Sequence, residues 1–156
     1  MKGVVFSTEM GWVGISGSSL GLMALVLPCH SREEAMAVLG KGVDFMPDSL
    51  AVFHSLVERL RAYFAGRRVE FPDRLDLSGA TSFQRAVWEV TRLIPYGETR
   101  SYAWLAEKVD RPRAYRAVGQ AMGSNPLPVI VPCHRVICSD GSLGGFGSGT
   151  NLKERL

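Results

Sequence analysis

Residues 71–79 carry no helical period, and the hydrophobic pattern on their two sides differs, so they read as a connector between two unlike subdomains. Before them, short apolar runs at 3–6, 12–15 and 20–27 are broken by Gly and Ser, the mark of a small antiparallel sheet. A helix over 49–64 follows. Its Val52, Phe53, Leu56, Leu60 and Phe64 keep the three-and-four spacing of a buried stripe, Ser49 can cap it, and 65–68 end it. Beyond the connector come helical stretches at 82–93, 101–108 and 114–122. The first is capped by Ser82 and buries Phe83, Val87, Val90 and Leu93 or Ile94. The expected fold is α+β: a sheet-plus-helix subdomain over 1–75 and a mostly helical domain over 76–156.

A chain of 156 residues with 46% hydrophobic content can bury a real core. The longest apolar run, 20–27, is far below a membrane span, and nothing near Met1 resembles a signal peptide. Three cysteines without an export signal point to a reducing cytoplasm. The net charge of +3 comes entirely from the second half, where Lys108, Arg111, Arg113 and Arg116 stand against the single acid Asp110. Such a cluster is either a solvated helix end or a phosphate-binding surface. The stretches 101–108 and 114–122 around the polar turn 109–113 form a helix-turn-helix pattern. By itself that pattern fits plain helix packing equally well, because Ala114, Ala117, Gly119 and Ala121 would permit close contact.

Chemistry enters at Pro132-Cys133-His134-Arg135-Val136, which sets a thiol beside one of only three histidines. The thiolate is the reactive form of cysteine, and His134 and Arg135 offer a base and a positive field. Cys29 and Cys138 read instead as structural thiols in apolar runs. Three cysteines and three histidines scattered along the chain predict no metal site, and no cofactor is expected.

From Ser82 to Lys153 the sequence resembles the O6-alkylguanine-DNA alkyltransferases. The resemblance rests on the Pro132–Ile137 motif together with Arg116-Ala117-Val118-Gly119, Asn125-Pro126, Pro95-Tyr96-Gly97, Ser101-Tyr102 and the glycine-rich stretch 144–149. It implies irreversible, single-turnover transfer of an alkyl group from guanine O6 in double-stranded DNA to Cys133. His134 would deprotonate Cys133 through a water, Tyr102 would donate a proton toward the departing base, and Asn125 would hold the surrounding turn. Arg116 would fill the space of the flipped base. Ala117 and Gly119 would let their helix approach the minor groove, and Lys108, Arg113 and Arg135 would add DNA contacts. Val136, Gly145, Phe146, Gly147 and Ser148 would line the guanine pocket, with Phe146 and Gly147 standing where the family pattern has tyrosine and serine. The family also places a glutamate beyond the lysine matched by Lys153, where it orients the histidine. Glu154 is earlier in register, so the resemblance leads to the expectation of slow transfer. The protein is expected to act as a monomer away from membranes. Two other readings of the same residues are a protein that binds the lesion with little or no transfer, and a Cys-His hydrolase or acyltransferase.

Overall fold

The computed structural model describes residues 1–40, 42–45 and 53–138. The chain divides into two compact units, Met1–Asp76 and Leu77–Leu156. No described helix is long and apolar enough to cross a membrane.

In the first unit, strands β1 (Lys2–Thr8), β2 (Gly11–Ser18) and β3 (Gly21–Cys29) form an antiparallel sheet in the order β1-β2-β3. Its core holds Val5, Phe6, Val13, Ile15, Leu22, Leu25 and Val26. Helix α1 (Arg32–Leu39) is an element absent from the expected set. Its local signal is Ser31 followed three residues later by Glu34: the Ser31 Oγ accepts the Glu34 N–H at 3.1 Å, while the His30 N–H donates to Glu34 Oε2 at 3.2 Å. Helix α2 (His54–Phe64) buries Leu56, Val57, Leu60, Tyr63 and Phe64, in keeping with the stripe expected there; Ser49 and Val52 lie outside the described residues. Gly66, at φ 90°, ends α2. Its N–H and that of Arg67 return to the Tyr63 and Ala62 carbonyls, the helix stop that a left-handed residue allows.

The connector is bound rather than loose. Arg59 on α2 grips Asp73 with two hydrogen bonds of 2.6 and 2.8 Å and lies over the Phe71 ring. Farther on, the Leu22 N–H donates to the Arg74 carbonyl and the Asp76 N–H to the Leu22 carbonyl. Gly21 stands against this crossing at φ 149°, where a Cβ would lie 2.6 Å from the Arg74 carbonyl oxygen. Only glycine fits there.

The second unit opens with α3 (Ser82–Thr91). Its cap is Thr81, not Ser82: the Thr81 Oγ1 accepts the Gln84 N–H at 3.1 Å, and the Gln84 Oε1 accepts the Thr81 N–H at 3.0 Å. This reciprocal pair needs a Glu or Gln side-chain oxygen three residues past the cap; Gln84 supplies it for Thr81, whereas Arg85 stands at that place for Ser82. Ile94 is buried and Leu93 is 75% exposed, which decides between the two. Strand β4 (Arg100–Ser101) leads into α4 (Tyr102–Lys108), then α5 (Tyr115–Gly123) and β5 (Val136–Ile137). Leu105, Ala106, Val118, Ala121 and Met122 are buried in the helix pair, and the Trp88 indole N–H donates 2.9 Å to the Ala121 carbonyl, tying α3 to α5. Asp110, at φ 59°, ends α4 as Gly66 ends α2, and so turns 111–113 outward.

The capping assignment predicts a contrast. Thr81→Ala should destabilise the chain by about 1 kcal/mol, whereas Ser82→Ala should stay within about 0.5 kcal/mol of the parent. Denaturant midpoints at unchanged slope measure both. Equal costs would return the cap to Ser82.

Candidate active site

Cys133 opens a tight turn whose geometry starts at Pro132. With φ −78° and ψ 64°, Pro132 folds the chain back so that the Cys133 N–H donates to the Val131 carbonyl at 2.7 Å, an inverse γ-turn. The Arg135 N–H to Pro132 carbonyl bond, 2.9 Å, and the Val136 N–H to Cys133 carbonyl bond then wind residues Cys133–Arg135 into one turn of 3-10 helix. Cys133 and His134 are each 7% exposed, so the thiol and its neighbouring imidazole lie under the surface rather than on it.

The segment before the turn is held by Asn125. Its Nδ2–H donates to the Val131 carbonyl at 3.0 Å and its Oδ1 accepts the Leu127 N–H at 2.9 Å, while the Val131 N–H donates to the Leu127 carbonyl. Both halves of the amide are used, one as donor and one as acceptor, which a carboxylate cannot match. Inside this loop Val129 is buried at φ 76°, an unfavourable conformation for a β-branched residue. Such backbone persists only where its surroundings over-determine it, and the Asn125 bonds do so here.

Tyr102 reaches the turn from another part of the chain. Strand β4 pairs in parallel with β5, Arg100 opposite Val136 and Ser101 opposite Ile137. The next residue on one strand is Tyr102 and on the other Cys138. Ser101 also caps α4, its Oγ accepting the Trp104 N–H at 3.0 Å, so Tyr102 leaves the strand directly as the first residue of a helix. Burial, and then the Cys138 and Cys133 thiols, raise the Tyr102 phenol above its ordinary range. It therefore stays protonated at neutral pH and can donate. Cys138, expected to be structural only, thus lies within electrostatic reach of Tyr102; its place one residue beyond β5 is the signal for that. Cys29 is remote in kind: its thiol points to the Leu27 carbonyl at 3.4 Å and is raised by burial and by Glu34.

The basic residues separate into two groups. Arg135, expected among the DNA contacts, is half-buried; its Nη1 donates 2.8 Å to the Ile94 carbonyl and its guanidinium lies over the Tyr96 ring. That bond fastens the Cys133 turn to the segment after α3. Lys108, Arg111, Arg113 and Arg116 are exposed, and no ion pair among the described residues involves any of them. Lys108 rests over the Trp104 ring. The small residues of α5 also divide. Ala121 is buried in the packing, whereas a Cβ added at Gly119 or Gly123 would meet nothing within 4 Å among the described residues. Helix packing therefore does not require those glycines.

Cys133, His134, Tyr102 and Asn125 are thus brought around one turn, followed by the fully buried Val136, while Arg116, Ala117 and Gly119 lie on α5, Lys108 on α4 and Arg113 in the turn between them. Gly145, Phe146, Gly147, Ser148, Lys153 and Glu154 lie outside the described residues. Among the described residues no group of three His, Cys, Asp or Glu is placed to hold a metal ion.

A family model described as the DNA binding domain of 6-O-methylguanine DNA methyltransferase matches residues 82–156. The methylated-DNA–protein-cysteine methyltransferase of Mycolicibacterium paratuberculosis is 53% identical over 104 residues, 67% of this chain and 62% of the relative, so this match spans less than two thirds of the relative's length. That of Methanosarcina acetivorans is 45% identical over 97% of this chain and 93% of its own length. Among solved structures, Mycobacterium tuberculosis OGT in complex with DNA superposes with a TM-score of 0.82 at 39% identity, covering 99% of this chain and 89% of that one. The O6-methylguanine-DNA methyltransferase of Pyrococcus kodakaraensis gives 0.69 at 26% identity, covering 97% and 95%. The chain belongs to the methylated-DNA–protein-cysteine methyltransferase family.

Proposed function

We propose that this protein repairs DNA by moving the alkyl group of O6-alkylguanine onto Cys133, once per chain. The observation that carries the reading is the convergence of the Cys133 turn and the Tyr102 phenol through the β4–β5 pairing. Displacement at an alkyl carbon needs a soft nucleophile and a leaving group that departs neutral. His134 takes the Cys133 proton through a water. The thiolate then forms the S–C bond as the C–O6 bond breaks, its electron pair stays on the base, and Tyr102 protonates the base so that guanine leaves. The phenol afterwards recovers a proton from the imidazolium side or from solvent. No cofactor enters this balance. Cys133, His134 and Tyr102 lie in one unit of one chain, which supports action as a monomer, and the three free cysteines suit a reducing cytoplasm.

A base inside a duplex is out of reach of a buried thiol, so the target must be flipped. Arg116, exposed in the first turn of α5, fills the vacated space, and the open surface at Gly119 lets the helix lie close against the minor groove. Lys108 and Arg113 contribute phosphate attraction.

Four outcomes test the reading. Incubation with a duplex carrying O6-methylguanine should add one methyl group, located on Cys133 by peptide mass analysis, and Cys133→Ala should bind the DNA and transfer nothing; a methyl group on Cys29 or Cys138 instead would overturn it. Tyr102→Phe should slow transfer by about 100-fold or more, the contribution typical of a positioned proton donor, with DNA affinity retained. Arg116→Ala should slow repair of duplex at least about tenfold more than reaction with free O6-benzylguanine, which needs no extrusion. By contrast, Lys108→Ala and Arg113→Ala should each lower the salt dependence of binding by about one phosphate contact.

A further inference from the structure

We infer that Tyr115 is a second extrusion element, an aromatic wedge that works beside Arg116 when the helix meets a duplex. The inference rests on the DNA-repair reading above and adds a residue that the sequence motifs do not point to. Tyr115 is the first residue of α5 and is 50% exposed, one of few large apolar side chains left in solvent. A single exposed hydrophobic residue is ordinary, and Leu20 or Val38 needs no explanation. Tyr115 differs in its surroundings. Advancing about 100° per residue, the helix turns Val118, Ala121 and Met122 inward and leaves Arg116, Gly119, Gln120 and Gly123 on the outside, with Tyr115 at the border of the two faces. Since Gly119 and Gly123 are bare, the outer face is a low floor, and Tyr115 and Arg116 rise side by side at its N-terminal end. No hydrogen bond among the described residues holds the Tyr115 hydroxyl, so the ring is not committed to the fold.

The exposed cations at 108, 111, 113 and 116 select a polyanion as the occupant of this face. In a narrow groove, an apolar ring beside a cation acts on stacked bases in a way that charge alone does not: it slides between or against them and lowers the cost of unstacking. Base–aromatic stacking is worth about 1–3 kcal/mol per base, which corresponds to roughly 5- to 150-fold in rate or affinity at 1.4 kcal/mol per tenfold. Tyr115 accordingly packs on the base step next to the lesion while Arg116 occupies the hole.

The test uses the full chain and three single-turnover measurements on Tyr115→Ala and Tyr115→Phe. With duplex O6-methylguanine, Tyr115→Ala should be at least about fivefold slower or weaker, and Tyr115→Phe should keep most of the parent rate because the ring remains. With free O6-benzylguanine both variants should match the parent. A 2-aminopurine placed next to the lesion should change in fluorescence on binding the parent and Tyr115→Phe, and less with Tyr115→Ala. Parent-like repair of duplex by Tyr115→Ala would overturn the wedge, as would equal slowing on duplex and free base, which would mark a damaged helix. Failure of the parent itself to alkylate Cys133 from duplex would instead overturn the repair reading, so the two failures are distinguishable.

Discussion

Two residue pairs, Arg100 with Val136 and Ser101 with Ile137, hold the chemistry of this protein together. They are the whole of the parallel β4–β5 contact, yet they join a helix start to a turn more than thirty residues later in the chain. On one side the strand runs straight into α4 because Ser101 is both the last strand residue and the helix cap. On the other side it continues directly from the 3-10 turn at Cys133. A parallel pairing needs a long crossover, and α4, α5 and the Asn125 loop supply it. The helix pair is therefore at once the crossover that lets the thiol meet the phenol and the surface proposed to meet DNA.

Around that contact the Cys133 turn is fastened from two directions. Asn125 fixes the backbone before it through Leu127 and Val131, and Arg135 fixes the backbone after it through Ile94 and Tyr96. For the proposed transfer this matters, because reacting groups work best when their positions are set before the substrate arrives. Here the setting is done by side-chain bonds to backbone carbonyls and amides, which are directional, and a buried Val129 at positive φ shows how tightly the loop is determined. The residue that repulsion or hydration would normally send outward, an arginine, is thus kept against the fold.

Much of this was legible in the residues. Period separates the three strands from the helices, and the Pro-Cys-His-Arg order singles out Cys133 from the other two cysteines as the candidate nucleophile by setting a base beside the thiol. What escaped depends on partners far off in sequence or on a competition between neighbours. Ser82 and Thr81 are both plausible caps, and only Gln84, counted three residues on, separates them. Among basic residues Arg135 reads as a DNA contact; that one of its N–H groups is bonded to the Ile94 carbonyl shows only in the fold. The small residues of α5 are equivalent on paper; the structure divides Ala121, needed for packing, from Gly119, which packing leaves open. Helix α1 was marked by Ser31 and Glu34, but its apolar face is too short to announce itself by period.

The crossing of the connector over β3 bears on where the chain can be divided. Asp76 donates its N–H to the Leu22 carbonyl, and its carboxylate accepts the Ser18 hydroxyl at 2.6 Å. A fragment cut one residue earlier, after Leu75, would lose both of these bonds at the tip of the β2–β3 hairpin and keep only the Leu22 N–H bond to the Arg74 carbonyl there. The last residue of the first unit is thus a clasp on its own sheet, and dissection of the two halves is cleanest with Asp76 kept on the N-terminal side.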